Sequence, residues 1–201
     1  MLKRFSKKLP KIDPDTVIGF LDETAPQTTA NTQRLWSFGK PTICKNTSKL
    51  RANTFGFYAL NGNSVIDFKP NSKKEAVCDF LRTIWGANTG KNIVLILDNF
   101  PSHKAKIARQ HAEDYGLNLI YLPPYSPNLN PIEFIWKSIK REVSCQFIRD
   151  VDYLKNLIKE KFYEFSSKRS FAANWINGAC FSVWGSANPR TGFSIDRAQD
   201  G

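Results

Sequence analysis

Three acidic residues stand where a reactive site can be built. Asp22 closes the apolar run VIGFL, and Asp98 closes the run IVLIL. Glu133 falls on the first turn of a helix that follows a proline-rich loop. Open α/β sheets place their sites at the carboxyl ends of strands. The 34 residues between Asp98 and Glu133 hold one helix, one strand and one loop, enough to return the chain to the same site. Three carboxylates converging on one point repel one another unless cations neutralise them. Hard divalent cations take oxygen ligands, and Mg²⁺ suits phosphate chemistry. Each acid also has a plainer use. Asp98 can start a turn, and Glu133 can close a capping box on Asn130. Asp22 can be an exposed loop acid, with Glu23 beside it competing for its role.

The elements that must position these acids follow from periodicity and turn chemistry. Val17 to Leu21 is a short apolar strand that ends at Asp22-Glu23. Thr54 to Leu60 and Ser64 to Phe68 are strands joined at Asn61-Gly62-Asn63, a strong hairpin signal. With the first strand they make three consecutive antiparallel strands. Ser72-Lys73-Lys74-Glu75 reads as a capping box opening a helix to about Trp85, with Val77, Phe80, Leu81 and Ile84 on its apolar face. Ile93 to Leu97 is the β-branched run of a strand covered on both faces. A helix from about Ala105 to Tyr115 stops at Gly116, and Leu119 to Leu122 is a further strand. The four prolines of residues 123–131 stiffen a loop. Asn130 caps the next helix, with Pro131 at its first position, running to about Cys145. A last helix spans about Asp152 to Phe165. The order is that of an α/β domain with a mixed central sheet flanked by helices. We divide the chain into a basic lead-in (1–16), a catalytic domain (17–168) and a tail (169–201). In the tail Trp175, Ile176, Phe181 and Trp184 are candidates to dock on the core.

Lysine and arginine number 29 against 18 acids, a formal net charge of +11. This excludes an acidic disordered chain and favours a polyanionic partner. Cys44, Cys78, Cys145 and Cys180 are widely spaced, which indicates neither a zinc site nor a disulfide framework. A reduced, cytoplasmic setting fits, and no apolar run is long enough to span a membrane.

The stretches ILDNFPSHKA (residues 96–105) and LPPYSPNLNPIEFIWKSIKR (residues 122–141) carry a family resemblance. They resemble DDE transposases of bacterial and archaeal insertion sequences, and more narrowly the mariner-like superfamily. The Asp98-Asn99 pair with His103 after it is similar to the second catalytic position. Ser126-Pro127, Leu129-Asn130-Pro131-Ile132-Glu133 and Trp136 are similar to the third. Asp22-Glu23 after an apolar strand matches the first, and Arg34, Trp36 and Gly39 look like the region that follows it. The resemblance covers roughly residues 17–165 and implies a ribonuclease H-like fold. Such proteins carry an N-terminal helix-turn-helix region. The residues before the first strand are too few to fold one, so a catalytic domain alone is expected, with a separate helix-turn-helix chain and a homodimer as compatible partners.

The resemblance implies a two-metal reaction in which Asp22, Asp98 and Glu133 hold two Mg²⁺ or Mn²⁺ ions. Strand cleavage is followed by transesterification, with no covalent protein–DNA intermediate. Asn99 and His103 are expected to orient the scissile phosphate or to support the ligands. The DNA track, for transposon ends and target, is expected on Lys40, Lys45, Lys49, Arg51, Lys69, Lys73 and Lys74. It continues on Lys104, Lys106 and Arg109, then on Lys137, Lys140 and Arg141. Trp36, Tyr125 and Trp136 are candidates for base stacking, with Trp136 better read as core. Two other readings share the fold: an inactive DNA-binding remnant, and a different ribonuclease H-like nuclease.

Overall fold

A computed structural model describes residues 15–29, 38–39, 46–124 and 126–173. The lead-in up to residue 14, Arg34, Trp36, Lys40, Cys44, Lys45, Tyr125, and Trp175, Ile176, Cys180, Phe181 and Trp184 of the tail lie outside the described residues.

Five strands form one sheet: β1 (Val17–Thr24), β2 (Thr54–Ala59), β3 (Val65–Phe68), β4 (Ile93–Leu97) and β5 (Leu117–Tyr121). Their order across the sheet is β3-β2-β1-β4-β5. The first three strands are antiparallel, and β4 and β5 run parallel to β1. This is the mixed sheet expected from the sequence, with β1 at its centre. Among the described residues five helices flank it: α1 (Lys74–Ala87), the single turn α2 (Pro101–Lys104), α3 (Lys106–Asp114), α4 (Ile132–Cys145) and α5 (Val151–Ser166).

Alternation along the strands divides the core in two. Ile18 and Phe20 of β1, with Val94 and Ile96 of β4, face α4 and α5 through Ile135, Trp136, Ile139, Ile158 and Phe162. Val17 and Leu21, with Ile93, Leu95 and Leu97, face α1 and α3 through Val77, Phe80, Leu81, Ile84 and Ala108. The strand β4 is buried at all five positions because it is covered on both faces. Ala172, in a 3₁₀ turn after α5, is buried in the first of these clusters.

Several local expectations are corrected. Strand β1 does not stop before the acids; it carries Asp22, Glu23 and Thr24, because β2 pairs with it through Thr24. Neither capping box forms. Lys73, not Ser72, stands at the start of α1. The Ser72 hydroxyl bonds to Asn53, and its carbonyl accepts from Ser102, tying α1 to α2. The helix expected from Ala105 is preceded by the extra turn α2, started by Pro101. Strand β5 begins two residues earlier than expected, directly after Gly116, whose φ of +66° stops α3. The last helix is capped by Asp150, whose side chain accepts from Tyr153 N at 2.7 Å.

Gly56 sets how closely α4 approaches the sheet. It pairs with Asp22 across β1 and β2. A Cβ at this position would lie 2.5 Å from the Trp136 ring. Trp136 in turn stacks on Phe162, with ring centroids 5.5 Å apart. A glycine is therefore needed for Trp136 to lie flat on β2, one turn after Glu133. Gly56→Ala is expected to destabilise the fold by about 1–3 kcal/mol through overpacking. It should also lower any activity that depends on Glu133. Chemical denaturation checks the first effect, and an unchanged midpoint would contradict the packing role.

Candidate active site

Strand geometry separates the two neighbouring acids of β1. Side chains alternate between faces, so Asp22 follows Ile18 and Phe20 toward α4, whereas Glu23 follows Leu21 toward the α1 and α3 side. The last parallel pair of β1 and β4 is Leu21 with Leu97. Asp22 and Asp98 are each the next residue after this last pair, Asp22 still in β1 and Asp98 just past the end of β4. Asp22, rather than Glu23, is thus the acid on the Glu133 face.

His103 explains what Glu23 does. It is completely buried. Its Nδ1 lies 2.8 Å from Asp98 Oδ1 and its Nε2 lies 2.8 Å from Glu23 Oε1. The same Asp98 oxygen accepts the backbone N–H of Phe100 at 2.9 Å, so Asp98 makes its turn and also faces the site. Burial works against the imidazolium, but the hydrogen bonds and charges of Asp98 and Glu23 outweigh it and push the pKa up to about 9. Burial alone would raise the Asp98 pKa; the bonds from His103 and Phe100 N bring it below its ordinary value. His103 is therefore a charged brace between two carboxylates. Of the two roles expected of it, phosphate orientation or ligand support, its contact with Asp98 is the kind that supports a ligand acid. Asn99 is likewise committed: its amide donates to the Leu122 carbonyl and joins the ends of β4 and β5.

The proline loop presents Glu133. Pro127–Leu129 form a 3₁₀ turn, and the Asn130 N–H donates to Pro127 O at 2.9 Å. That donor is spent, so Glu133 cannot use it to close a capping box. The Asn130 side chain caps nothing either: its Oδ1 is buried with no hydrogen-bond partner. The cap is the Asn130 carbonyl, which accepts Glu133 N at 3.1 Å. Glu133 as a residue is exposed and clear of helix duty, while its carboxylate is half withdrawn from water in the cleft.

The electrostatics place the three acids in one field. Asp22 is only 7% exposed. Its pKa is raised well above the ordinary carboxylate value by burial first, then by the charges of Glu133, Glu23 and Asp98. The Glu133 pKa is raised by burial and by Asp98, against a lowering contribution from Lys140. The acids do not form a closed ligand shell: among the described residues, no group of three or more His, Cys, Asp or Glu is arranged to hold a metal ion. Asp22 and Glu133 share one face of the sheet, and Asp98 stands at the end of the sheet, tied through His103 to Glu23. The donor set still fits a hard divalent cation, because it offers carboxylate oxygens, and the buried Asp22 has three negative neighbours.

A sequence profile described as DDE superfamily endonuclease matches residues 17–155. The chain belongs to this family. Part of it is 35% identical over 60 residues to the Tcb2 transposase of Caenorhabditis briggsae, an alignment covering 29% of this chain and 22% of that protein. It is 34% identical over 56 residues to the Tc1 transposase of Caenorhabditis elegans, covering 28% of this chain and 20% of that protein. The chain thus matches about a fifth of the length of these curated relatives. Its fold is similar to that in a mariner Mos1 paired end complex with Mg, with a TM-score of 0.63 and 15% identity over 90% of this chain and 58% of that one. The isolated catalytic domain of Mos1 gives a TM-score of 0.56 and 16% identity over 90% of this chain and 88% of that domain. These likenesses agree with the ribonuclease H-like fold.

In this DDE domain the basic residues divide by position. Lys137, Lys140 and Arg141 line a cleft of about 390 Å³ that includes Glu133. Lys104 is exposed, 5.8 Å from the Tyr121 ring centroid. Lys49 and Arg51 are exposed just before β2, and Lys73, Lys74, Lys106 and Arg109 are exposed around α1 and α3. Lys69 is not on a DNA track; it is largely buried and paired with Asp67 and Asp79. Trp136 is core, as the sequence suggested. Lys40, Lys45, Trp36 and Tyr125 lie outside the described residues. The brace from His103 to Glu23 was missed from sequence; its signal is a histidine five residues after Asp98, on a turn opened by proline.

A histidine whose pKa rises from 6.5 to about 9 on folding stabilises the fold fully below about pH 6.5. That contribution, on the order of 3 kcal/mol, is lost as pH climbs through about 9. In metal-free buffer, the stability advantage of the native chain over His103→Gln is expected to shrink steadily from pH 6.5 to above pH 9. Denaturation midpoints across that range check it, and a constant or growing advantage would refute the charged brace.

Proposed function

We propose that the chain is the catalytic domain of a transposase, with residues 17–168 carrying metal-dependent DNA strand cleavage and strand transfer. The observation that supports this most is the buried carboxylate of Asp22, set among Asp98, Glu133 and Glu23. Such a charge is costly to bury without a cation. Asp22, Asp98 and Glu133 are the residues to hold Mg²⁺ or Mn²⁺, two ions in the full site. The ions supply activation of the attacking hydroxyl and neutralisation of the leaving oxygen. In cleavage, water attacks phosphorus and the P–O3′ bond breaks, leaving a 3′-hydroxyl and a 5′-phosphate. In transfer, that 3′-hydroxyl attacks a target phosphodiester, the target P–O3′ bond breaks, and the target's 3′-hydroxyl leaves with the proton.

The protein's own side chains supply position and field. His103 fixes Asp98 by one nitrogen and is itself fixed by Glu23 through the other. The proline loop holds Glu133 at the cleft edge. Lys137, Lys140 and Arg141 draw the DNA backbone toward it, and Lys104, Lys49 and Arg51 extend the field. The partners proposed are transposon ends and target DNA, with a second copy and a separate helix-turn-helix chain to complete end recognition. No helix of the described residues is long and apolar enough to cross a membrane. We place the activity in the cytoplasm, on the nucleoid. The relatives in nematodes extend the likeness beyond the bacterial and archaeal insertion sequences to which we assign the chain.

Nicking of supercoiled plasmid with Mg²⁺ or Mn²⁺ tests the reading. Asp98→Asn and Glu133→Gln should reduce nicking to background with the fold retained, since each keeps shape; Asp98→Asn should also lower stability, because it removes one of the two charges that hold buried His103. Full activity of either variant would remove that residue from the site. Asp22→Asn should also be inactive, yet more stable than the native chain without metal, by about 1 kcal/mol or more, because a desolvated charge is relieved. Binding of the isolated chain to DNA should be weak, insensitive to sequence and steeply salt-dependent. Tight sequence-selective binding at physiological salt would contradict phosphate-directed binding.

A further inference from the structure

The cleft beside Glu133 has an aromatic wall. Phe134, the residue after the candidate acid, is 45% exposed. The neighbouring Ile135, Trp136 and Ile139 are buried in the core, so Phe134 is the large apolar side chain that α4 turns outward there. It lines the same cleft as Lys137, Lys140 and Arg141, together with Pro127 and Asn128 of the proline loop. Phe134, Lys137 and Arg141 follow at helical spacing and share one exposed stripe. An isolated exposed phenylalanine needs no explanation. One set among three cations, in a cleft that also contains a candidate catalytic carboxylate, has a specific complement.

We propose that this cleft holds single-stranded DNA next to the scissile phosphate, with one unpaired base stacked on Phe134 and flanking phosphates on Lys137 and Arg141. An aromatic face combined with a cationic groove is the chemistry that recognises an unpaired strand. A duplex hides its base faces within the stack and offers only phosphates to the same cleft. Of the aromatics first considered for stacking, Trp136 is spent in the core. The proposal rests on the nuclease reading, and it gives that site a strand-separated substrate at the point of reaction.

The test is binding of fluorescein-labelled oligothymidine and of a hairpin duplex of equal charge, by anisotropy in EDTA, so that cleavage plays no part. Phe134→Ala should weaken single-strand binding about tenfold and duplex binding less than about twofold. Phe134→Trp should restore the single-strand affinity. The salt slope for the single strand should stay unchanged in Phe134→Ala. It should fall by about 1.4 in the Lys137→Ala, Arg141→Ala double variant, about 0.7 for each phosphate no longer neutralised. Equal single-strand binding by the native chain and Phe134→Ala would overturn the stacking proposal, as would an equal loss on both DNAs. A native chain that binds neither DNA would overturn the nuclease reading itself.

Discussion

A carboxylate buried at the centre of a sheet, with three more around it, is the constraint on which the rest of this structure depends. Asp22 lies on the central strand and has lost most of its water. Glu133, Glu23 and Asp98 all add negative field to it. Folding alone gives no reason to retain such a group, since an amide of the same shape would cost less to bury. Site chemistry does. Strained or under-compensated groups concentrate where function requires them.

The surrounding architecture handles the four acids unequally. Strand alternation puts Glu23 on the far face, where His103 takes its charge and that of Asp98 together. That histidine needs a turn of helix directly after β4, and Pro101 starts it. The other face is left to Asp22 and Glu133, moderated by Lys140. Its geometry depends on Gly56, because only a residue without a side chain lets Trp136 lie against β2. The same helix that buries Trp136 carries Glu133 at its start and the cations of the cleft along its exposed side. Fold and site are therefore coupled through one helix and one end of the sheet.

Much of this was legible in the sequence, and the exceptions have physical causes. The run Ile93 to Leu97 marked a strand covered on both faces, and Asp98 ended it as expected. The Asn61-Gly62-Asn63 turn marked the β2–β3 hairpin. The length of β1 was hidden because hydrophobic pattern stops at Asp22, whereas the strand continues on backbone pairing with β2. Both capping signals misled for the same reason. A local side chain competes with tertiary partners: Ser72 found Asn53, and the Asn130 N–H found Pro127 O. Burial of His103 was hidden because composition reads histidine as polar and a single sequence does not show which carboxylates it meets. The choice between Asp22 and Glu23 needed only strand parity, and that became decisive once β1 was seen to run through both.

The proposed chemistry requires that Asp22, not its neighbour Glu23, belong to the cation-binding face. Calorimetric titration of the metal-free chain with Mn²⁺, compared with Asp22→Asn and Glu23→Gln, measures this without reference to activity. Heat of binding should be present in the native chain, retained in Glu23→Gln and absent in Asp22→Asn. Normal Mn²⁺ binding by Asp22→Asn, or loss of binding in Glu23→Gln alone, would contradict the assignment.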